Sequence, residues 1–525
     1  MKAVTTGSDR TNRCWLAVVA IALLCGVGSP EANSQPQSQR AVSGQKIDDF
    51  IRTLNERGQF NGAVLVGDAD GILYESGFGQ ANRASGTKFA TETQSCLASV
   101  SKPFTALAVM MLVQSGSLHL DDPVSKYVEG LKQPVGAVTI RQLLTHTSGI
   151  PDYGNTNIDR PGLTTDEVLR ALRTIDRLEF PPGQQYRYSN SGYVLLGTVV
   201  AKAAGMPFPQ FLSTRILTPI GMKRTFVLTD KGQKTAGTAT AYNDFGDPDD
   251  YVEFVTGDGG IYSTVNDLYK FDRALYTNSL ISQPTLNEMF IPGAVREGST
   301  TYGLGWNIEN TPAGKRVWHT GNTAGFRAYF ERQLASHRVI ILLTNLGSSK
   351  RVEISAAINN ILDAKPFVYP RRSGAVELET VYRSSGIDSV LTVYQSLKQK
   401  SSADFDLSEA ELNTLGYQIL YADHKPRDAI KVFALNANEH PSSSNAFDSL
   451  AEAYRVNGDA TAAKTNYEKA LALDPANEHA RTALAQLKYP RVPSTVANKT
   501  AASGRSISAL DAVSLLSARR HPVSP

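Results

Sequence analysis

Near residue 62 the chain reads "GAVLVGDADGILYESGFG", two apolar runs joined by Asp70-Gly71. That turn pair favours hairpins, so the pattern predicts two adjacent strands. Near residue 330, "RVWHTGNTAGFRAYFERQLASHRVIILLTN" predicts three successive strands, with glycine and histidine punctuating the turns. Mixed patterns without a low-complexity break fill the interval, and most of the helices fall there. Strands that bracket a helical middle predict an α+β domain over 46–362: an antiparallel sheet built from N- and C-terminal strands and flanked by helices. From 363 to 404 the pattern turns irregular and polar and reads as a linker.

The last third repeats itself with a period of about 34 residues, matching Ala429 with Ala463, Phe433 with Tyr467, and Pro441 with Pro475. A small residue, an aromatic four later and a closing proline is the tetratricopeptide pattern, so 405–487 is expected to be an all-α helical region of that type. Two such units are fewer than a free-standing array usually needs; they are expected to lean on a neighbour, and a protein partner is one use for them. The segment 488–525, rich in Ser, Ala, Arg and Pro, reads as a disordered tail.

At the other end, Lys2, Arg10 and Arg13 precede an apolar run from Trp15 to Val27 and the small residues Ala32-Asn33-Ser34. Residues 1–34 therefore read as an export signal, too short in its apolar part to span a bilayer, with no stable membrane span left after removal. A periplasmic or secreted location follows. Cys14 and Cys25 fall inside that segment, which leaves Cys96 alone in the mature chain and excludes an intrachain disulfide. A net charge of +3, with 20% charged residues, gives no footprint for nucleic acid.

Ser-x-x-Lys occurs at Ser43/Lys46, Ser85/Lys88 and Ser99/Lys102. Ser43 sits in a polar segment and Ser85 in a Gly- and Thr-rich loop, where helical register is not expected. Only Ser99 opens a long apolar run, "FTALAVMMLVQSG", with Pro103 suited to a helix start. Three residues apart on a helix, Ser99 and Lys102 share a face, while Ser101 points away. A serine hydroxyl needs a base to take its proton, and burial near a helix start lowers a lysine pKa enough to make it one. No His-Glu-x-x-His and no phosphate loop is present, so no metal or cofactor is called for.

Further along stand Tyr188-x-Asn190 and His319-Thr320-Gly321. Tyr-x-Asn recurs at Tyr153 and Tyr276, but the order and spacing of Ser99, Tyr188 and His319 single out one set. Together with "LLTHTSGIPDY" and "GDGGIYSTVNDLYKF", these motifs make residues 48–346 resemble the serine β-lactamase and penicillin-binding-protein superfamily, in its class C β-lactamase, DD-peptidase and esterase branch. The resemblance implies Ser99 as acylated nucleophile, Lys102 as its proton acceptor, and Tyr188 as proton shuttle to the leaving group and activator of water. It implies Asn190, His319, Thr320 and Gly321 as substrate-binding residues, with the backbone amides of Ser99 and Asn322 as the oxyanion hole. Class C enzymes carry lysine where this chain has His319; a histidine is only partly charged near neutral pH. That points toward D-peptidase- or esterase-like action on a small-molecule or peptide substrate rather than efficient β-lactamase activity. The alternative is a penicillin-recognising binding module whose repeats engage a protein partner. His146 is expected to order its loop and Cys96 to pack.

Overall fold

The computed structural model describes residues 37–155, 158–232, 234–249 and 251–488. The expected signal over 1–34 lies outside the described residues, as does the tail beyond residue 488. Among the described residues no helix is long and apolar enough to cross a membrane.

Helix α1 (Gln37–Glu56) forms because Ile47, Phe50, Ile51 and Leu54 recur at helical spacing and bury one stripe. It carries Ser43 and Lys46, so the expectation that Ser43 lies outside helical register is corrected: the polar stretch is one face of an amphipathic helix. Strands β1 (Gly62–Asp68) and β2 (Gly71–Phe78) follow as the predicted hairpin. Two helices of the middle region carry the candidate site residues Lys102 and Asn190 at their starts, α2 (Lys102–Gln114) and α3 (Asn190–Ala204). The remaining strands of the main sheet are β3 (Ala294–Glu297), β4 (Thr300–Tyr302), β5 (Asn307–Thr311), β6 (Gly314–Thr323), β7 (Phe326–Gln333) and β8 (Arg338–Thr344).

The eight strands run in the order β2-β1-β8-β7-β6-β5-β4-β3, each neighbour antiparallel. Leu65 opposes Ile341, so the N-terminal hairpin is closed onto the last strand. The period of two splits β1 and β8 between two apolar layers. Ala63, Leu65, Ile341 and Leu343 face the helices of the middle region; Val64, Val66, Ile340 and Leu342 face α1 and α4 (Arg351–Leu362). The sheet is thus covered on both sides, and α2 lies at the centre of the larger layer. Phe104, Leu107, Val109, Met110 and Leu112 of α2 are buried, worth on the order of 10 kcal/mol at ~1.5–3 kcal/mol each. That burial holds Lys102, one turn away, out of water.

Residues 363–404 are not irregular. They carry α5 (Gly374–Ser385) and α6 (Ile387–Lys400), whose narrow stripes of Ala375, Leu378, Val390 and Tyr394 enter a second core. Few core positions on an otherwise polar helix make composition read as linker. That core continues through α7 (Glu409–Tyr417), α8 (Pro426–Glu439), α9 (Ser444–Val456), α10 (Ala460–Leu473) and α11 (Glu478–Lys488). The repeated positions Ala429, Phe433, Ala463 and Tyr467 are all fully buried in it. Ion pairs tie this helical region to the sheet domain: Lys350 to Asp406 at 2.6 Å and Arg383 to Asp247 at 2.8 Å.

Candidate active site

Ser99 sits in a short 3-10 turn, Ala98–Ser101, that runs straight into α2, with Pro103 in the first helical turn where a missing N–H costs nothing. Ala98 adopts φ +46°, a left-handed conformation unusual for a residue with a side chain. β6 lies against this turn at Gly321, where a Cβ would fall 2.1 Å from the Leu97 carbonyl oxygen. Only glycine allows that approach.

α3 starts at Asn190, whose backbone N–H donates to Asp152 Oδ2 at 2.5 Å, and ends at Gly205 in the left-handed conformation. The "GDGG" turn crosses α3 closely: a Cβ on Gly257, at φ +101°, would meet the Tyr193 carbonyl oxygen at 2.3 Å. The crossing delivers the Asp258 backbone carbonyl to Lys102.

Lys102 is 0% exposed and its ammonium is fully used. Nζ donates to Ser99 Oγ at 3.0 Å, to Asn190 Oδ1 at 2.8 Å and to the Asp258 carbonyl oxygen at 3.1 Å. It also lies 4.8 Å from the centre of the Tyr188 ring. Burial lowers its pKa to about 8, against the opposing pull of Asp258, Asp152 and Glu253. An amine that loses one proton here keeps two acceptors and turns its lone pair to the Ser99 hydroxyl. Acylation at Ser99 is therefore expected to rise about tenfold per pH unit up to about pH 8 and to level off above, because the active form is the deprotonated one. A pH profile of kcat/KM with an ester substrate checks this; a rate independent of pH from 6 to 9 would speak against Lys102 as base.

The Tyr188 phenol lies beside the Ser99 hydroxyl, and burial pushes it well above the ordinary range, so it rests protonated. His146 holds it in place. The His146 carbonyl accepts from the Arg187 N–H at 2.9 Å, its Nδ1 accepts from the Ser189 N–H at 3.1 Å, and its ring packs 4.2 Å from that of Tyr188. The expected loop-ordering residue thus clamps Tyr188 from both sides in the chain.

His319 is placed differently from what a substrate-gripping charge requires. It is 2% exposed; Nδ1 donates to the Thr320 carbonyl oxygen at 2.7 Å and Nε2 accepts from the Tyr302 hydroxyl at 3.0 Å. Burial, with the Lys102 charge nearby, lowers its pKa to about 3, so the expected partial charge near neutral pH is corrected to a neutral ring. Gly321 faces the serine turn, and Thr320 lies beside His319 on β6. Asn190 and Asn322 line one cavity with Ser99. Cys96 is buried and pairs in a short strand with Tyr262; burial pushes its thiol up to about 11.

The sequence reading missed Asp152, Tyr153 and Asp258. Tyr153 donates to Asp258 Oδ2 at 2.8 Å, and both stand in segments already singled out, "LLTHTSGIPDY" and "GDGGIYST". An acid flanked by glycines within apolar surroundings was the available signal. Among the described residues no group of His, Cys, Asp or Glu could hold a metal ion.

A serine, a lysine and a tyrosine thus meet on a helix–sheet frame of the serine hydrolase kind. Residues 47–365 match the family described as Beta-lactamase, and the chain belongs to that family. It is 33% identical over 351 residues to "Penicillin-binding protein 4*" of Bacillus subtilis (strain 168), covering 62% of this chain and 77% of that one. It is similar to the crystal structure of penicillin binding protein from Bacillus halodurans, with a TM-score of 0.55 and 28% identity over 59% of this chain and 98% of that one. D-amino acid amidase from Ochrobactrum anthropi SV3 superposes with a TM-score of 0.52 at 25% identity, covering 62% of this chain and 98% of that one.

Proposed function

We propose that the protein is an exported serine hydrolase that works through an acyl-enzyme on Ser99 and prefers amide or ester bonds of the D-peptidase or esterase kind over β-lactams. The observation that carries this is the contact of Lys102 Nζ with Ser99 Oγ at 3.0 Å in a site that lowers the lysine pKa. The neutral, internally bonded His319 supports the bond preference, because it offers no fixed positive charge to a β-lactam carboxylate. The names of the similar proteins, a penicillin-binding protein and a D-amino acid amidase, agree with it. Export rests on the residue pattern of 1–34.

In this reading neutral Lys102 takes the Ser99 proton as Oγ attacks the carbonyl carbon. The backbone amides of Ser99 and Asn322 hold the oxyanion, a fixed-donor effect that usually supplies a large share of the rate. Tyr188 gives its proton to the departing nitrogen or oxygen, and its phenolate is steadied by the Lys102 ammonium. The phenolate then takes a proton from water, whose hydroxide attacks the acyl group, and Lys102 returns its proton to Ser99 Oγ. Asn190 holds Lys102 and faces the substrate amide.

A panel of nitrocefin, p-nitrophenyl esters and D-Ala-D-Ala peptides tests the bond preference. Ester or D-peptide turnover at least as efficient as nitrocefin hydrolysis is expected; strong cephalosporinase kinetics would overturn it.

A further inference from the structure

The cavity that holds Ser99 encloses about 1370 Å³, far more than a single amino-acid amide requires. Its near end is Ser99, Asn190 and Asn322; its far wall comes from the helical region, through Glu409 and Asn413 of α7 and His440 and Asn445 beyond them. That wall is fixed, since Lys350 bonds Asp406 just ahead of α7 and Phe245 packs into the helical core.

The lining is acidic in a chain of net charge +3. Asp152, Glu253 and Asp258 lie toward the serine, and Glu353, Asp406 and Glu409 along the rest. The cations in the lining are Arg327, Lys350 and Arg351. Two are already paired: Arg327 with Asp244 at 3.2 Å and Lys350 with Asp406. Burial, then the neighbouring Asp159, raise Glu253 to about 8, so it rests protonated near neutral pH and the negative charge of the lining comes from the other carboxyl groups.

Independently of charge, polar atoms in this lining have no partner among the described residues. Asp258 is 6% exposed with Oδ1 unbonded, and Ser349 is 4% exposed with Oγ unbonded. Asn413 Oδ1 and His440 Nε2 on the helical side are unbonded as well. Buried acceptors left open cost free energy unless something donates to them. Each belongs to a residue of the lining but is itself closed off from solvent, so these atoms mark polar burial along the cavity wall.

We propose that the helical region completes the substrate cleft, and that the cleft selects peptides carrying an ammonium group, whose charge lies against the carboxylates that include Glu409. This rests on the hydrolase reading of Ser99 and adds the substrate class to it. The helices are then part of the binding site in their own right, independently of any protein partner they engage.

The test compares two matched peptide substrates, one with a free lysine-type amine and one with that amine acetylated, with p-nitrophenyl acetate as a third. In the full-length protein the amine peptide is expected to have a kcat/KM at least about tenfold above its acetylated twin at low salt, falling toward parity near 1 M salt as the charges are screened. In Glu409→Lys the ratio is expected to drop severalfold, and in Glu409→Gln by less. Because each variant is judged by its own ratio, loss of folded protein does not mimic the effect, and the salt series needs no variant. Hydrolysis of p-nitrophenyl acetate with equal rates on the two peptides would overturn this inference alone. A ratio that survives Glu409→Lys would remove the helical wall from it. No reaction of wild type with any of the three would instead count against the hydrolase reading.

Discussion

Replacing Lys102 with methionine is expected to slow acylation by at least about 10³-fold while leaving the protein folded. The side chain is fully buried and methionine has nearly its length, so packing around α2 is kept. Two effects on stability oppose each other. Removing a buried ammonium relieves its desolvation, whereas Asn190 Oδ1 and the Asp258 carbonyl lose a donor, each costing about 1–3 kcal/mol if left unsatisfied. The melting temperature is therefore expected to move by only a few degrees. The rising limb of the pH profile toward pH 8 is expected to vanish in Lys102→Met, since no other group at Ser99 Oγ titrates there: Tyr188 lies far above and His319 far below. Acylation within tenfold of wild type, measured by rapid-quench mass spectrometry, would assign the base elsewhere.

Tyr188→Phe is expected to cost about 10²–10³ in kcat/KM on amides and less on p-nitrophenyl esters. An amide nitrogen must be protonated to leave, and the Tyr188 hydroxyl is the donor beside Ser99 Oγ; p-nitrophenolate leaves without help. The phenyl ring keeps its place against His146 at 4.2 Å, so a loss that is equal on both substrates would mean that the ring's position, rather than its proton, had been disturbed. Deacylation is expected to slow as well, so that acyl-enzyme accumulates with the ester.

The fold was legible where periodicity is strong and local. The hairpin at 62–78, the three strands from 314 to 344 and the central helix after Ser99 all follow from alternation or helical spacing, and the closure of the N-terminal hairpin onto β8 followed from strands bracketing helices. The stretch 363–404 was misread because α5 and α6 bury only a narrow stripe each, so polar composition outweighed a weak period. Ser43 shows the same masking in α1. Helical register therefore excludes Ser85/Lys88, in a turn leading into a short strand, but not Ser43/Lys46; the partners around Lys102 single out Ser99.

Within the site, Ser99 and Lys102 were readable because their contact is set by one turn of chain. The charge of His319 was not, because it depends on burial and on the nearby Lys102, both set by packing between segments far apart in the chain. Asp258 escaped for a similar reason: its carbonyl reaches Lys102 only because Gly197 and Gly257 let the turn sink onto α3. The acidic cleft was invisible in a net charge of +3, since sign averages over a surface while a cavity gathers it in one place.

The central claim is that Ser99 becomes covalently acylated, and intact-protein mass spectrometry after exposure to a fluorescent penicillin or a fluorophosphonate tests it most directly. The account predicts a single added mass that maps to the peptide containing Ser99 in the wild type and is absent from Ser99→Ala. No added mass in the wild type, or an equal one in Ser99→Ala, would contradict it.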